Sequence, residues 1–164
     1  MVRTTTFILF GGLYVTWMFV AAADRAVEGA VADDPVAIVE SEPRFGWVDV
    51  FIDSGEAALA AYQFELSAEA GDVRIVGIEG GGHEAFAAPP YYDERAMQHD
   101  HVIVGAFNTG EATALPVGRV RVARIHVRVE GDRPAEYVAR LQTAGDVHGE
   151  KLDVQLIIEE GRLR

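Results

Sequence analysis

Residues 61–67 read Ala-Tyr-Gln-Phe-Glu-Leu-Ser, and every second side chain in the centre of this segment is apolar. Tyr62, Phe64 and Leu66 fall on one side of an extended chain, whereas the polar residues between them fall on the other. Because side chains alternate between the two faces of a β-strand, this period of two predicts a strand with one buried face and one face in solvent.

The segment 119–129, Arg-Val-Arg-Val-Ala-Arg-Ile-His-Val-Arg-Val, carries the same pattern with one interruption. Val120 and Val122 share one phase, and Ala123 starts the opposite phase, which Ile125 and the later valines continue. An extra residue in one strand shifts the phase in this way. The switch therefore predicts a β-bulge inside a single long strand.

Short apolar runs separated by glycine or proline fill most of the chain after residue 35. We predict strands near 36–40, 46–53, 58–67, 72–79, 101–107, 119–129, 135–143 and 151–158. No convincing 3.6-residue stripe, the mark of an amphipathic helix, occurs in this part of the sequence. Several short strands with regular turns predict one all-β domain over residues 35–164, built as an antiparallel β-sandwich.

The first 23 residues have a different character. Arg3 precedes a charge-free apolar stretch, which ends in three alanines immediately before Asp24. A basic start, an apolar centre and small terminal residues are typical of a secretory signal peptide. The stretch also has about the ~20 residues that a membrane-spanning helix needs. We therefore predict an N-terminal hydrophobic helix over residues 1–23, either signal peptide or membrane anchor, and an acidic linker over 24–34.

The composition excludes several classes of partner. The formal net charge is −12, and a strongly acidic domain is repelled by the phosphates of nucleic acids and by anionic lipid surfaces. We expect contact with a membrane only through the N-terminal segment. The chain has no cysteine, which excludes disulfides and thiolate metal sites. Both interpretations of residues 1–23 place the body outside the cytoplasm, in the periplasm, on the cell envelope or secreted.

Several segments, taken in order, resemble bacterial cohesin-like domains. The strand containing Gln63-Phe64 is similar to the "gly-ala-x-gln-phe-x-leu" strand of that family, and Leu115-Pro-Val-Gly118 is similar to its "leu-pro-x-gly" turn. The segments that carry the resemblance are 47–53, 59–66, 72–80, 102–108, 115–129 and 144–152. The sequence departs from the family at 67–72, where a tyr-asp-pro turn is usual, and in the long segment 80–100.

The resemblance implies a jelly-roll β-sandwich, related in fold to cellulose-binding modules, that attaches to another protein. We therefore expect a non-catalytic binding module at the cell envelope. A carbohydrate-binding module that holds a polysaccharide is the alternative, and a small metal-binding periplasmic protein is a third hypothesis. Fold alone does not decide between them, since one fold carries many functions.

The sequence contains no catalytic arrangement that we recognise. Asp49 and Asp53 share one face of a predicted strand, but four residues of extended chain separate them by ~13 Å. That distance is too long for the carboxylate pair of a glycosidase. Ser41, Ser54 and Ser67 lack the context of a nucleophile elbow. We expect no enzyme activity and no cofactor.

The long segment 80–100 is the first candidate for a binding loop, because loops of this length in compact domains are often functional. Its aromatic residues either pack on the sandwich or contact a partner. The candidate binding residues are His83, Phe86, Tyr91, Tyr92 and Asp93.

The sequence His99-Asp100-His101 offers a weaker candidate. In an extended chain both imidazoles face the same side, which suits zinc or copper, and His83 is a further ligand in the same segment. A plain polar start to a strand is the interpretation that we favour.

A third candidate is a sheet face that carries Trp47, Phe51, Arg124, His126 and Arg128. The cations either pair with the domain's own carboxylates across strands or dock an acidic partner or an acidic glycan. The aromatic residues, together with Tyr91 and Tyr92, either anchor loops and sheet edges or form a platform on which sugar rings stack.

Overall fold

The computed structural model describes residues 42–162, which form a β-sandwich of two antiparallel four-stranded sheets. The strands are β1 (Arg44–Asp53), β2 (Ala61–Ala70), β3 (Asp72–Gly80), β4 (Tyr91–Tyr92), β5 (His101–Phe107), β6 (Arg119–Glu130), β7 (Glu136–Gly145) and β8 (Gln155–Arg162). Short 3₁₀ turns occur at Glu84–Phe86, Glu94–Ala96 and Ala112–Ala114. The predicted all-β sandwich is confirmed.

The first sheet has the strand order β3-β6-β1-β8, and the second sheet has the order β4-β5-β2-β7. All described strand pairs are antiparallel. Within residues 42–162 no helix is long and apolar enough to cross a membrane. The predicted strand at 36–40, the hydrophobic segment 1–23 and the linker 24–34 lie outside the described residues.

The inner faces of both sheets form the core. Tyr62, Phe64 and Leu66 of β2 are buried as the alternation predicts, and Val48 and Ile52 of β1 face them from the first sheet. Burying one such side chain stabilises the fold by about 1.5–3 kcal/mol. The buried phenol of Tyr62 donates a hydrogen bond of 2.8 Å to the carbonyl of Val122, so the core contains a satisfied link between the two sheets.

The predicted bulge in β6 is confirmed. Val50 pairs with Ala123 and Phe51 pairs with Arg121, so Val122 is the extra residue between them. Val122 and Ala123 are both fully buried, although they are neighbours in the chain. Because the bulge resets the phase, the arginines on either side of it project from the same outer face of the sheet.

Most predicted strand limits agree with the structure to within a few residues. The largest difference is at β8, which begins at Gln155, whereas we predicted a start at 151. The carboxylate of Asp146 accepts hydrogen bonds from the backbone N–H groups of His148 and Glu150. These bonds hold a turn, and Lys151 joins Gly145 in a single isolated bridge before the strand begins.

The segment 80–100 is not an open loop. Gly80 lies so close to the returning chain that a Cβ atom there would be 2.3 Å from the carbonyl oxygen of Ala87. Two 3₁₀ turns and β4 follow, and the backbone N–H of Ile75 then donates to the carbonyl of His99 at 2.8 Å. The segment therefore folds back onto both sheets, and it contains a short strand that the sequence pattern did not predict.

Candidate binding surface

The outer face of the first sheet carries the basic residues that the sequence placed there, Arg124, His126 and Arg128, together with two more arginines of the same strand. Arg119, Arg121, Arg124, His126 and Arg128 project from β6. They stand beside Trp47, Asp49 and Phe51, which project from β1. Neighbouring strands of a sheet bring such side chains within reach of one another, so each basic side chain lies near the rings and carboxylates of adjacent strands.

Asp49 is the centre of this face and is only 9% exposed. Its two carboxylate oxygens accept hydrogen bonds of 2.8 Å from Nε and Nη2 of Arg124, and Nη1 of Arg121 lies 3.5 Å away. Trp47 Nε1 donates a further bond of 3.2 Å. Burial raises the pKa of Asp49, but the hydrogen bond and charge of Arg124, with Arg121 and Trp47, outweigh burial and hold that pKa below its ordinary value.

The aromatic rings of this face are covered by the same cations. The guanidinium of Arg124 lies 4.8 Å from the ring centroid of Trp47, and that of Arg119 lies 4.5 Å from the ring of Phe51. Trp47 also lies against Gly161 of β8, where a Cβ atom would be 2.2 Å from Cε2 of the indole. Both rings are half-buried. Cation–π attraction favours the position of each guanidinium group over its ring.

The remaining basic side chains of this face also have carboxylate partners. Arg119 pairs with Glu159, His126 Nε2 lies 2.8 Å from Glu79 Oε1, and Arg128 pairs with Glu130. These contacts favour pairing within the domain over docking of an acidic ligand. Two donors, Nε of Arg121 and Nε of Arg128, have no acceptor within residues 42–162, but both atoms are buried and offer no open anion site.

The outer face of the second sheet has the opposite character. Tyr91 of β4 is 70% exposed, and Phe107 and Ile103 of β5 are 63% and 45% exposed. The rings of Tyr91 and Phe107 stack with their centroids 5.8 Å apart and their planes 9° from parallel. No arginine covers these rings within the described residues, so three large apolar side chains meet solvent side by side.

A groove of about 570 Å³ runs across this face. Gly105 pairs with Tyr91 on one side and with Gln63 on the other, and the absent side chain leaves a depression between Ile103 and Phe107. Gln63, Asp93 and Thr143 contribute polar groups to the lining. We call this surface the Tyr91–Phe107 groove; Tyr91, Asp93, Ile103, Gly105 and Phe107 define it.

The predicted binding residues of segment 80–100 divide into two groups. Tyr91 and Asp93 line the groove, and Tyr92 lines it while packing partly against the core. Phe86, in contrast, is 3% exposed and packs edge-on against Tyr62 with centroids 5.2 Å apart, so its ring belongs to the core and does not line the groove. His83 begins the first 3₁₀ turn, where its Nδ1 accepts from the backbone N–H of Ala85 at 3.1 Å.

The histidines proposed for a metal have other surroundings. His101 begins β5, and its Nδ1 lies 3.8 Å from a carboxylate oxygen of Asp100. Residues 42–162 contain no group of three His, Asp or Glu side chains placed to hold a metal ion. His99 and His101 therefore gain no further ligand from the described part of the chain.

No protein-family model, curated protein or solved structure matches this chain. The cohesin-like resemblance therefore stays a prediction, and we infer the function from the geometry of the two outer faces.

The sugar-stacking platform suggested by the sequence does not form as one surface. Trp47 and Phe51 lie on the first sheet, whereas Tyr91 and Tyr92 lie on the second. The aromatic partner of Tyr91 is Phe107, which the sequence reasoning did not select. A signal was present, because residues 103, 105 and 107 share a phase opposite to that of the buried Val102 and Val104.

Proposed function

We propose that this chain is a non-catalytic binding module that attaches to a protein partner through the outer face of the second sheet. The observation that carries the proposal is the adjacent exposure of Tyr91, Ile103 and Phe107. The solvent face of an antiparallel sheet is normally polar, and a contiguous exposed apolar patch marks an interaction surface. Exposed aromatic side chains are also the common anchors of protein interfaces.

The contrast with the first sheet strengthens this assignment. Trp47 and Phe51 are already covered by Arg124 and Arg119, and Asp49 is already bound by two arginines. A partner docking there would have to compete with contacts inside the domain. On the second sheet a partner gains new contacts without breaking old ones.

We also propose the finer features that the sequence suggests: a jelly-roll sandwich of cohesin-like type, exported and held at the cell envelope. The support for export is the basic, apolar and small-residue pattern of residues 1–23. The support for the cohesin-like type is the order of strands and turns from Trp47 to Leu152. The two four-stranded antiparallel sheets are compatible with the cohesin-like type.

A polysaccharide is the second candidate ligand. One observation favours it, because the nearly parallel rings of Tyr91 and Phe107 present flat faces of the kind on which pyranose rings stack. The ligand classes therefore compete for the same groove and require a test that separates them.

The test compares capture by the full chain, purified in mild detergent and immobilised, with capture by single variants. The native envelope extract and a panel of neutral polysaccharides are applied in parallel. Phe107→Ser removes an exposed ring from the groove, whereas Phe45→Ser removes a ring that is 46% exposed on the first sheet and serves as the matched control. We expect Phe107→Ser to weaken capture of an envelope protein by at least roughly tenfold, the effect of losing a central anchor.

Capture that is equally strong with both variants would contradict the assignment of this face. Retention on a polysaccharide, lost with Phe107→Ser and without any envelope protein bound through the same residue, would establish the second candidate instead.

A further inference from the structure

The protein partner's own chemistry can be inferred from the charges around the Tyr91–Phe107 groove. We propose that this groove receives a lysine or arginine side chain, so that the partner docks through a cationic segment. The inference rests on the proposed function, since it names the kind of protein surface that the groove fits.

The aromatic pair supplies the first element of such a site. The exposed ring faces of Tyr91 and Phe107 carry the negative side of the ring quadrupole, which attracts a cation placed within about 6 Å. Ile103 and the depression at Gly105 provide an apolar floor along which the aliphatic stem of lysine or arginine can lie.

Carboxylates at the groove supply the second element. Asp93 lines the groove, and its Oδ1 accepts a hydrogen bond from the backbone N–H of Arg95 and lies 4.0 Å from Nε of the same residue. Its Oδ2 has no hydrogen-bond donor among the described residues. Glu65 projects from β2 directly opposite Ile103. Its cross-strand neighbour on the other side, Arg140, is bound to Glu69 at 3.1 Å, and Glu65 itself has no ion pair within residues 42–162.

The distribution of the domain's own cations supplies the third element. Four arginines of β6 are held on the first sheet beside their carboxylate partners. Near the groove, Nε of Arg95 lies 4.0 Å from Oδ1 of Asp93, but the Arg95 side chain is 92% exposed, so water screens this ion pair and a partner's cation can compete with it. In a chain of net charge −12, the exposed Asp93 and Glu65, which has no ion pair within residues 42–162, attract a cationic side chain to the uncovered rings and repel an anionic one.

The experiment uses the ¹⁵N-labelled full chain and two small probes, N-acetyl-arginine amide and N-acetyl-citrulline amide. Citrulline has nearly the shape of arginine without its charge, so the pair isolates the role of the cation. We expect the arginine probe to shift the amide resonances of Tyr91, Gly105 and Phe107, and the citrulline probe to bind roughly tenfold more weakly. Raising the salt concentration should weaken the arginine probe alone.

Two Asp→Asn variants test whether binding of the arginine probe depends on the carboxylate of Asp93. Asp93→Asn keeps the side-chain oxygen that accepts from the Arg95 backbone, yet it removes the carboxylate, and it should weaken the arginine probe roughly threefold or more. Asp132→Asn is the matched control. Asp132 is exposed on the turn before β7, whose first residue pairs with Ala70, at the other end of β2 from Phe107.

The inference is overturned if both probes bind equally, if neither shifts these resonances, or if a neutral oligosaccharide such as cellohexaose shifts them with higher affinity than the arginine probe. It is also overturned if envelope capture depends on Phe107 but is insensitive to salt and to Asp93→Asn. In that last case the protein-binding function stands and only the cationic partner fails.

Discussion

The two outer faces of this sandwich have the same architecture and opposite surface chemistry. On the first sheet, Asp49 lies beside Arg121 and Arg124 and the rings of Trp47 and Phe51 lie beneath guanidinium groups. On the second sheet, Glu65 stands beside Ile103 without an ion pair in the described residues. The difference teaches where to look for function in such a domain, because contacts completed within the chain leave little for a partner to gain.

The largest expected difference in stability is between the loss of a carboxylate from the first face and the loss of one from the second. Asp49→Ala removes the acceptor of three side chains and leaves two arginines uncompensated, so we expect a loss of about 2–3 kcal/mol in the free energy of unfolding. Glu65→Ala removes a mid-strand carboxylate that has no ion pair in residues 42–162, and we expect a change within about 0.5 kcal/mol. Urea unfolding at pH 7 measures both.

Equal losses in the two variants would show that the faces do not differ energetically. A loss with Glu65→Ala alone would reverse the assignment, because the second face would then be the one completed by internal contacts.

The strands were predictable because their signal is local. Tyr62, Phe64 and Leu66 repeat with the period of a half-buried strand, and the shift between Val122 and Ala123 marks the bulge. β4 could not be predicted, because two residues are too few to show a period. The burial of Phe86 could not be predicted either, because its ring packs against Tyr62, a residue distant in the chain.

The candidate site was predictable only in part, for the same physical reason. Tyr91 and Asp93 were selected as members of a long segment, but Phe107 was not, because it reaches Tyr91 only after β4 and β5 pair. The ion-pair partner of Arg124 could not be predicted either. Its partner Asp49 is 75 residues away in the sequence, and only the register of β1 with β6 brings them together.

A substitution at Gly161 tests how tightly Trp47 is packed on the first face. Gly161→Ala places a Cβ atom 2.2 Å from the indole of Trp47, so the ring must move from beneath Arg124, and we expect a loss of about 1–2 kcal/mol. Gly77→Ala on β3 is the matched control, since its Cβ atom would lie 3.7 Å from Cβ of His126, an ordinary contact distance. Thermal and urea unfolding should separate the variants; similar midpoints would mean that Trp47 is loosely held.

A pH series sharpens the role of charge on the first face. The folded-state pKa of Asp49 is lower than its ordinary value, so ionised Asp49 contributes stability that is fully present above the unfolded pKa of about 4. This contribution is lost as pH falls through the lower, folded-state value. We therefore expect the stability difference between the wild type and Asp49→Asn to be constant from pH 6 to 8 and to shrink below about pH 4. A difference that does not change with pH would contradict a role for the carboxylate charge.

The smallest change in the free energy of unfolding is expected for a substitution at Phe107. Phe107 is 63% exposed, and among residues 42–162 its aromatic partner is Tyr91, which is itself 70% exposed, so Phe107→Ser removes little buried area. We expect its free energy of unfolding to stay within about 0.5 kcal/mol of the wild type, while capture of the partner falls.

Phe64→Ala, which empties a fully buried site in the core of the same sheet, should cost about 3–5 kcal/mol and calibrates the measurement. A loss with Phe107→Ser of several kcal/mol would mean that the exposed rings hold the sheet together, and their exposure would then be no sign of a partner. If a surface serves to bind a partner, replacing one of its central residues should weaken binding strongly and leave the free energy of unfolding nearly unchanged.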